Sequence, residues 1–194
     1  AMREKKWGIL GMHLEGPFIS TQKKGTHNVN NIRKGTIKEL ETILNSAEEA
    51  LKIITIAPEL FGDKELGLLK EANTIISAGH TFADYNQAMH GFKNGVTMVT
   101  HLFNAMSQFN SREPGVVGAT FDSENVHAGI IVDGLHCDYS SVRTAKKVLG
   151  EKLFLVSDSM SFVGAKTNKL IIEGTEITFR DGRCTNSNGD FAGT

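Results

Sequence analysis

Residues 53–100 read IITIAPELFGDKELGLLKEANTIISAGHTFADYNQAMHGFKNGVTMVT. Short runs rich in β-branched residues at 53–56, 74–77 and 96–100 frame two longer stretches, 63–72 and 82–94. In these stretches apolar side chains recur at i, i+3 and i+4 with polar ones opposite, the mark of amphipathic helices. Asp63 and Asp84 stand where N-terminal caps are expected. The same alternation extends both ways, with strands at 8–14, 128–132 and 153–156 and helices at 36–50 and 139–149.

Parallel neighbours cannot be joined by a tight turn, so apolar strands spaced by helix-length connections predict a parallel sheet shielded on both faces, the α/β class. Six strands with no dinucleotide glycine fingerprint suit a (β/α)8 barrel at least as well as an open sheet. After Asp158 the grammar changes. Segments 170–172, 176–179 and 183–185, separated by Glu173-Gly174-Thr175 and Asp181-Gly182, read as hairpins. The expected division is a partial barrel over residues 1–165, followed by a hairpin segment and substrate loop over 166–194 that starts a small β domain. A full barrel of this kind takes about 250 residues. A chain of 194 residues therefore predicts an incomplete one, a piece of a longer protein.

A net charge of -1 gives no general attraction to nucleic acid or to an anionic membrane, so an anionic ligand must be met by a local cluster of cations or N–H groups. That favours a small substrate. Cys137 and Cys184 lie far apart without CxxC spacing, as expected of incidental thiols in a reducing compartment. No apolar run approaches the length of a membrane span and no signal-peptide core follows the charged start, so the predicted location is the cytoplasm.

Metal-capable side chains close successive strands: His13 and Glu15, His80, His101, Asp133 and His136, then Asp158. Parallel strands of one sheet bring their carboxyl ends to a single rim, where residues distant in sequence converge. Two imidazoles and a carboxylate with an open position form the usual ligand set of a catalytic zinc-type site, and Glu15, His80 and His101 fit it. Each histidine alone reads equally well as a hydrogen-bonded rim residue; their common phase favours ligation. Asp158, leaving the hydrophobic run LFLVS, is placed to act as a general base, against the alternative of capping the next loop. Thr26 and His27 follow the basic pair Lys23-Lys24 in a loop that alone reads as a solvated turn. Arg112 offers a planar fork for phosphate or carboxylate, or a surface ion pair with Glu113.

Eight segments in order complete the pattern: HLEGPF at 13–18, KKGTHN at 23–28, APE at 57–59, SAGHT at 77–81, THLFNAM at 100–106, REPG at 112–115, DGLHCD at 133–138 and VSDS at 156–159. Together they resemble the N-acetylglucosamine-6-phosphate deacetylase family of the amidohydrolase superfamily. The resemblance implies a metal-dependent TIM-like barrel with a small β-sandwich, hydrolysing N-acetyl-D-glucosamine 6-phosphate to D-glucosamine 6-phosphate and acetate. It implies that Glu15, His80 and His101 bind a divalent ion, Zn2+ first, with Fe2+, Mn2+, Co2+ or Ni2+ as alternatives, one or two per subunit. Asp158 then serves as base and acid, and His27 polarises the acetamide carbonyl. Thr26, Asn104 and Ala105 correspond to substrate contacts, His136 and Arg112 to a phosphate grip, with Arg112 reaching across a homodimer. Ala192, Gly193 and Thr194 fall where the family has a further substrate loop.

The segment that would precede Ala1 corresponds to the first barrel strand and much of the β-sandwich, and Ser159-Met160-Ser161 departs from the family pattern. Competing readings are the galactosamine epimer's deacetylase, a dihydroorotase-like amidohydrolase, which would expect a carboxylated lysine where Glu15 stands, and a phosphosugar-binding fragment without catalysis.

Overall fold

The computed structural model describes residues 8–194. Six strands, β1 (Met12–Glu15), β2 (Leu51–Ile56), β3 (Ile75–Ala78), β4 (Val96–Val99), β5 (His127–Ile130) and β6 (Leu153–Leu155), form one sheet. Every neighbouring pair is parallel and the spatial order is the chain order. Right-handed crossovers that always step the same way leave all the helices on one face, which separates a barrel from a doubly wound sheet. The sheet is accordingly a curled, incomplete barrel.

Its helices are α1 (Ile37–Ala47), α2 (Asp63–Glu71), α3 (Tyr85–Lys93), α4 (Gly115–Asp122) and α5 (Tyr139–Leu149). Leu66 and Leu69 of α2 and Val116, Val117 and Ala119 of α4 are fully buried with Ile54, Ile56 and Ile76 of the sheet in one core. Thr36 starts α1 with a capping box: its hydroxyl accepts from the Glu39 amide at 3.3 Å, and its own amide donates to the Glu39 carboxylate at 3.2 Å. Asp84 caps α3 as predicted, accepting from the Gln87 amide at 2.8 Å.

Asp63 does not cap α2. Gly62 occupies that position, donating to Glu65 at 3.1 Å, and Asp63 is the first helical residue, where its carboxylate faces the positive helix end. The sequence reading passed over α4 because GVVGATFD is apolar all round; a helix buried on every side carries no amphipathic period.

The hairpin segment forms a separate antiparallel sheet, β7 (Lys169–Ile172), β8 (Thr175–Arg180) and β9 (Arg183–Asn186). Glu173-Gly174 and Asp181-Gly182 turn it, all four residues having positive φ, as tight two-residue hairpins require. Phe162, Ile177, Cys184 and Ala192 make its own small core. Both cysteines are free and buried.

Gly79 is tightly enclosed beneath the rim. A Cβ there would lie 2.7 Å from Thr55 Cγ2 and 2.8 Å from Thr100 Cβ. Gly79→Ala is expected to lower stability by about 1–3 kcal/mol through overpacking, read as a reduced denaturant midpoint at unchanged m-value.

Candidate active site

Glu15 ends β1, while His80 and His101 each stand two residues beyond the ends of β3 and β4. The Glu15 Oε1 atom lies 2.9 Å from His80 Nε2 and 2.9 Å from His101 Nε2, and the two Nε2 atoms are 3.1 Å apart. Each ring is anchored from behind. His80 Nδ1 contacts the Lys23 carbonyl at 2.8 Å and His101 Nδ1 the Asn104 carbonyl at 3.1 Å. A carbonyl only accepts, so each Nδ1 carries a proton, and each ring is left with its Nε2 facing Glu15.

Two imidazole nitrogens and a carboxylate facing one another at this range form a donor set that a cation between them would satisfy. Ligand atoms about 2.1 Å from a tetrahedral zinc stand about 3.4 Å from each other, only slightly more than the spacing found here. The donor set therefore fits a divalent metal. Burial alone would raise the Glu15 carboxyl, but hydrogen bonds with His101 and His80 outweigh it and hold the group far below the usual carboxylate range. Burial would likewise lower His101, yet its bond to Glu15 and the charges of Glu15 and Asp158 raise it, so the pocket favours positive charge.

His27 packs its ring edge-on to His80, centroids 4.8 Å apart, and burial together with His80 lowers its basicity. It is thereby kept neutral at physiological pH. Glu15, His27 and His80 also offer ligand atoms within 4.8 Å of one another, a second and looser grouping. The contacts near 3 Å favour His101 over His27 as the third ligand.

Backbone strain gathers at the same rim. His80, His101 and Asp158 have φ of 47°, 34° and 49°, in the left-handed region that side chains other than glycine's rarely enter. Such conformations persist where surrounding structure enforces them, commonly at active sites.

These groups border a cavity of about 790 Å³, sized for a metabolite. Among the predicted residues, Glu15, His80, His101, His27, Thr26 and Asp158 line it. Asn104, Ala105, His136, Ala192 and Gly193 complete the predicted lining, whereas Arg112 and Thr194 do not border it. The Asp158 carboxylate has no hydrogen-bond partner among the described residues, which removes the capping alternative. His136 Nδ1 lies 2.7 Å from Asp133 Oδ2, and Asp133 Oδ1 accepts the amides of Leu135 and His136, a brace that leaves His136 Nε2 for the cavity.

Arg112 is exposed. Its predicted alternative pairing with Glu113 does not form, because Glu113 Oε1 instead accepts the amides of Tyr85 at 2.9 Å and Gly115 at 3.1 Å. His13 turns to Thr55 at 2.7 Å, and through it to Thr100 and Ser77, a chain of hydroxyls inside the barrel. It takes no part in the Glu15 cluster.

The sequence reading missed one wall. Ile172, Glu173, Asp190 and Phe191 come from the small sheet and its last loop. Glu173 accepts the Asn28 amide at 3.0 Å on its carboxylate and the Asn28 side chain at 2.9 Å on its carbonyl, clasping the loop that carries His27. A hairpin turn 145 residues away carries no local signal of this.

No protein-family model matches the sequence. The chain is 41% identical over 195 residues to an N-acetylglucosamine-6-phosphate deacetylase of Haemophilus influenzae, covering 99% of this chain and 51% of that protein. The chain is homologous to the N-acetylglucosamine-6-phosphate deacetylases. A crystal structure of such a deacetylase from Pasteurella multocida superposes with a TM-score of 0.93 at 38% identity, covering 99% of this chain and 50% of that one. An N-acetylgalactosamine-6-phosphate deacetylase of Shewanella sp. is 39% identical over 178 residues, covering 91% of this chain and 43% of that protein. The chain thus spans about half the length of the deacetylases it matches.

Elemental analysis after exhaustive dialysis tests the ligand assignment. A divalent ion should remain with the parent protein and with His27→Ala, and be lost from Glu15→Gln and His101→Ala. Retention in His101→Ala with loss in His27→Ala would place the ion in the looser grouping instead.

Proposed function

We propose that the protein carrying this chain hydrolyses N-acetyl-D-glucosamine 6-phosphate to D-glucosamine 6-phosphate and acetate. The observation that carries this reading is the Glu15, His80 and His101 triangle sharing one cavity with an Asp158 carboxylate that has no hydrogen-bond partner among the described residues, in a chain 41% identical to an N-acetylglucosamine-6-phosphate deacetylase. A divalent cation held by those three residues, Zn2+ first among the candidates, would supply Lewis acidity at the scissile amide.

The remaining steps belong to the chain. Neutral His27 donates an N–H to the acetamide oxygen and favours charge building there. Asp158 takes a proton from the attacking water and returns it to the amine nitrogen, because an amine leaves an amide readily only once protonated. Thr26, Asn104 and Ala105 orient the sugar, with Ala192 and Gly193 on the facing wall. His136 grips the phosphate through the ring edge that Asp133 leaves free. Arg112, exposed and off the cavity, completes that grip from a second copy in a homodimer.

The place of action is the cytoplasm; the two free, buried thiols suit a reducing compartment, and no helix among the described residues is long and apolar enough to cross a membrane. A second reading, deacetylation of the galactosamine epimer, has the support of the 39% identical Shewanella relative.

Acetate release by the full-length, metal-loaded protein checks both readings on the two epimers side by side. Chelation should abolish turnover. Asp158→Asn should lower kcat by about 10²–10⁴-fold with KM little changed, as expected for loss of a general acid–base group. Failure to release acetate from either epimer would overturn the proposal.

A further inference from the structure

Asp158 is held through its backbone. Its carboxylate has no hydrogen-bond partner among the described residues, and its φ of 49° is unfavourable for a residue with a Cβ. Something must hold that conformation. Residues 192–194 lie alongside it: the Thr194 amide donates to the Asp158 carbonyl at 2.9 Å and the Met160 amide donates to the Thr194 carbonyl at 2.7 Å. The Thr194 hydroxyl donates to the Ser157 carbonyl at 2.7 Å.

These contacts have a specific geometric effect. The Ser157 carbonyl belongs to the peptide plane before the Asp158 Cα, and the Asp158 carbonyl to the plane after it. Peptide units are rigid, so restraining both planes restrains φ and ψ of Asp158 and hence the direction of its Cβ. Gly193 is part of the same device. With φ of 84° it allows the close approach, since a Cβ there would meet the Asp158 carbonyl oxygen at 2.5 Å. The strap is itself anchored: Ala192 is buried in the small-sheet core and donates to the Cys184 carbonyl at 3.0 Å.

We infer that Thr194 is a positioning residue for Asp158 and acts through it. This rests on the function proposed above. Thr194 spends its amide, its carbonyl and its hydroxyl proton on the Asp158 loop and does not border the cavity, so its side chain is not aimed at substrate. The small sheet thereby sets the aim of the catalytic carboxylate, in addition to forming a wall of the cavity.

The test uses full-length, metal-loaded protein and the isosteric pair Thr194→Val and Thr194→Ser. Thr194→Val should lower kcat about 10–100-fold, the scale on which a misplacement near 1 Å acts. KM and bound metal should stay unchanged, and Thr194→Ser, which keeps the hydroxyl, should restore the rate. In an Asp158→Asn background Thr194→Val should cost little more, because a residue acting only through Asp158 has nothing left to aim.

A crystal structure of Thr194→Val should show Asp158 displaced from its left-handed conformation, a readout independent of activity. Thr194→Ala, which removes the same hydroxyl, should give the same kinetic signature should Thr194→Val prove unstable. A raised KM at intact kcat, or penalties that simply add in the Asp158→Asn background, would make Thr194 a substrate contact or a general structural residue and overturn the inference. Absence of acetate release by the unmutated protein would instead defeat the parent reading, and this one with it.

Discussion

Two imidazoles, each tied by Nδ1 to a backbone carbonyl, point their other ring nitrogens at one half-buried carboxylate. That arrangement sets the chemistry available to the rest of the rim. The carbonyls of Lys23 and Asn104 choose the tautomers, and the tautomers choose which atoms face the cavity. Glu15 is held ionised in a place where burial opposes ionisation, because His80 and His101 compensate it. The same local field raises His101, an environment that favours positive charge.

The half-barrel can build this cluster because its strands run parallel and in chain order. Carboxyl ends of β1, β3 and β4 meet at one rim, and the left-handed turns at His80 and His101 swing the rings inward rather than along the strands. Beneath them Thr55, Thr100 and Ser77 link hydroxyl to hydroxyl across three strands, so the floor of the site is satisfied and braced. Gly79 sits where the floor has no room for a side chain.

The small sheet makes two contacts with this frame. At one end Glu173 clasps Asn28 and steadies the loop bearing His27; at the other, residues 192–194 pair with the Asp158 loop. Two groups assigned to the chemistry are thus steadied by an element outside the barrel sheet, whereas the three assigned metal ligands come from the barrel alone. The proposed metal ligands and the proposed proton-transfer group are steadied by separate parts of the fold.

Much of this was legible from residue order. Alternating apolar runs and amphipathic stretches indicated the parallel sheet, and the recurrence of Glu15, His80, His101 and Asp158 just past strand ends indicated the rim, because both are periodic and local. Three features were not legible, each for a physical reason. Helix α4 has no polar face and therefore no period. The exchange of Asp63 for Gly62 at the α2 cap depends on a single φ/ψ choice. The clasp of Glu173 on Asn28 and the strap on Asp158 join segments far apart in the chain, through backbone groups that every residue possesses. Residue identity alone settles which side chains can bind a metal or move a proton. Their tautomers, lone-pair directions and backbone aim exist only once distant carbonyls and amides have been brought against them.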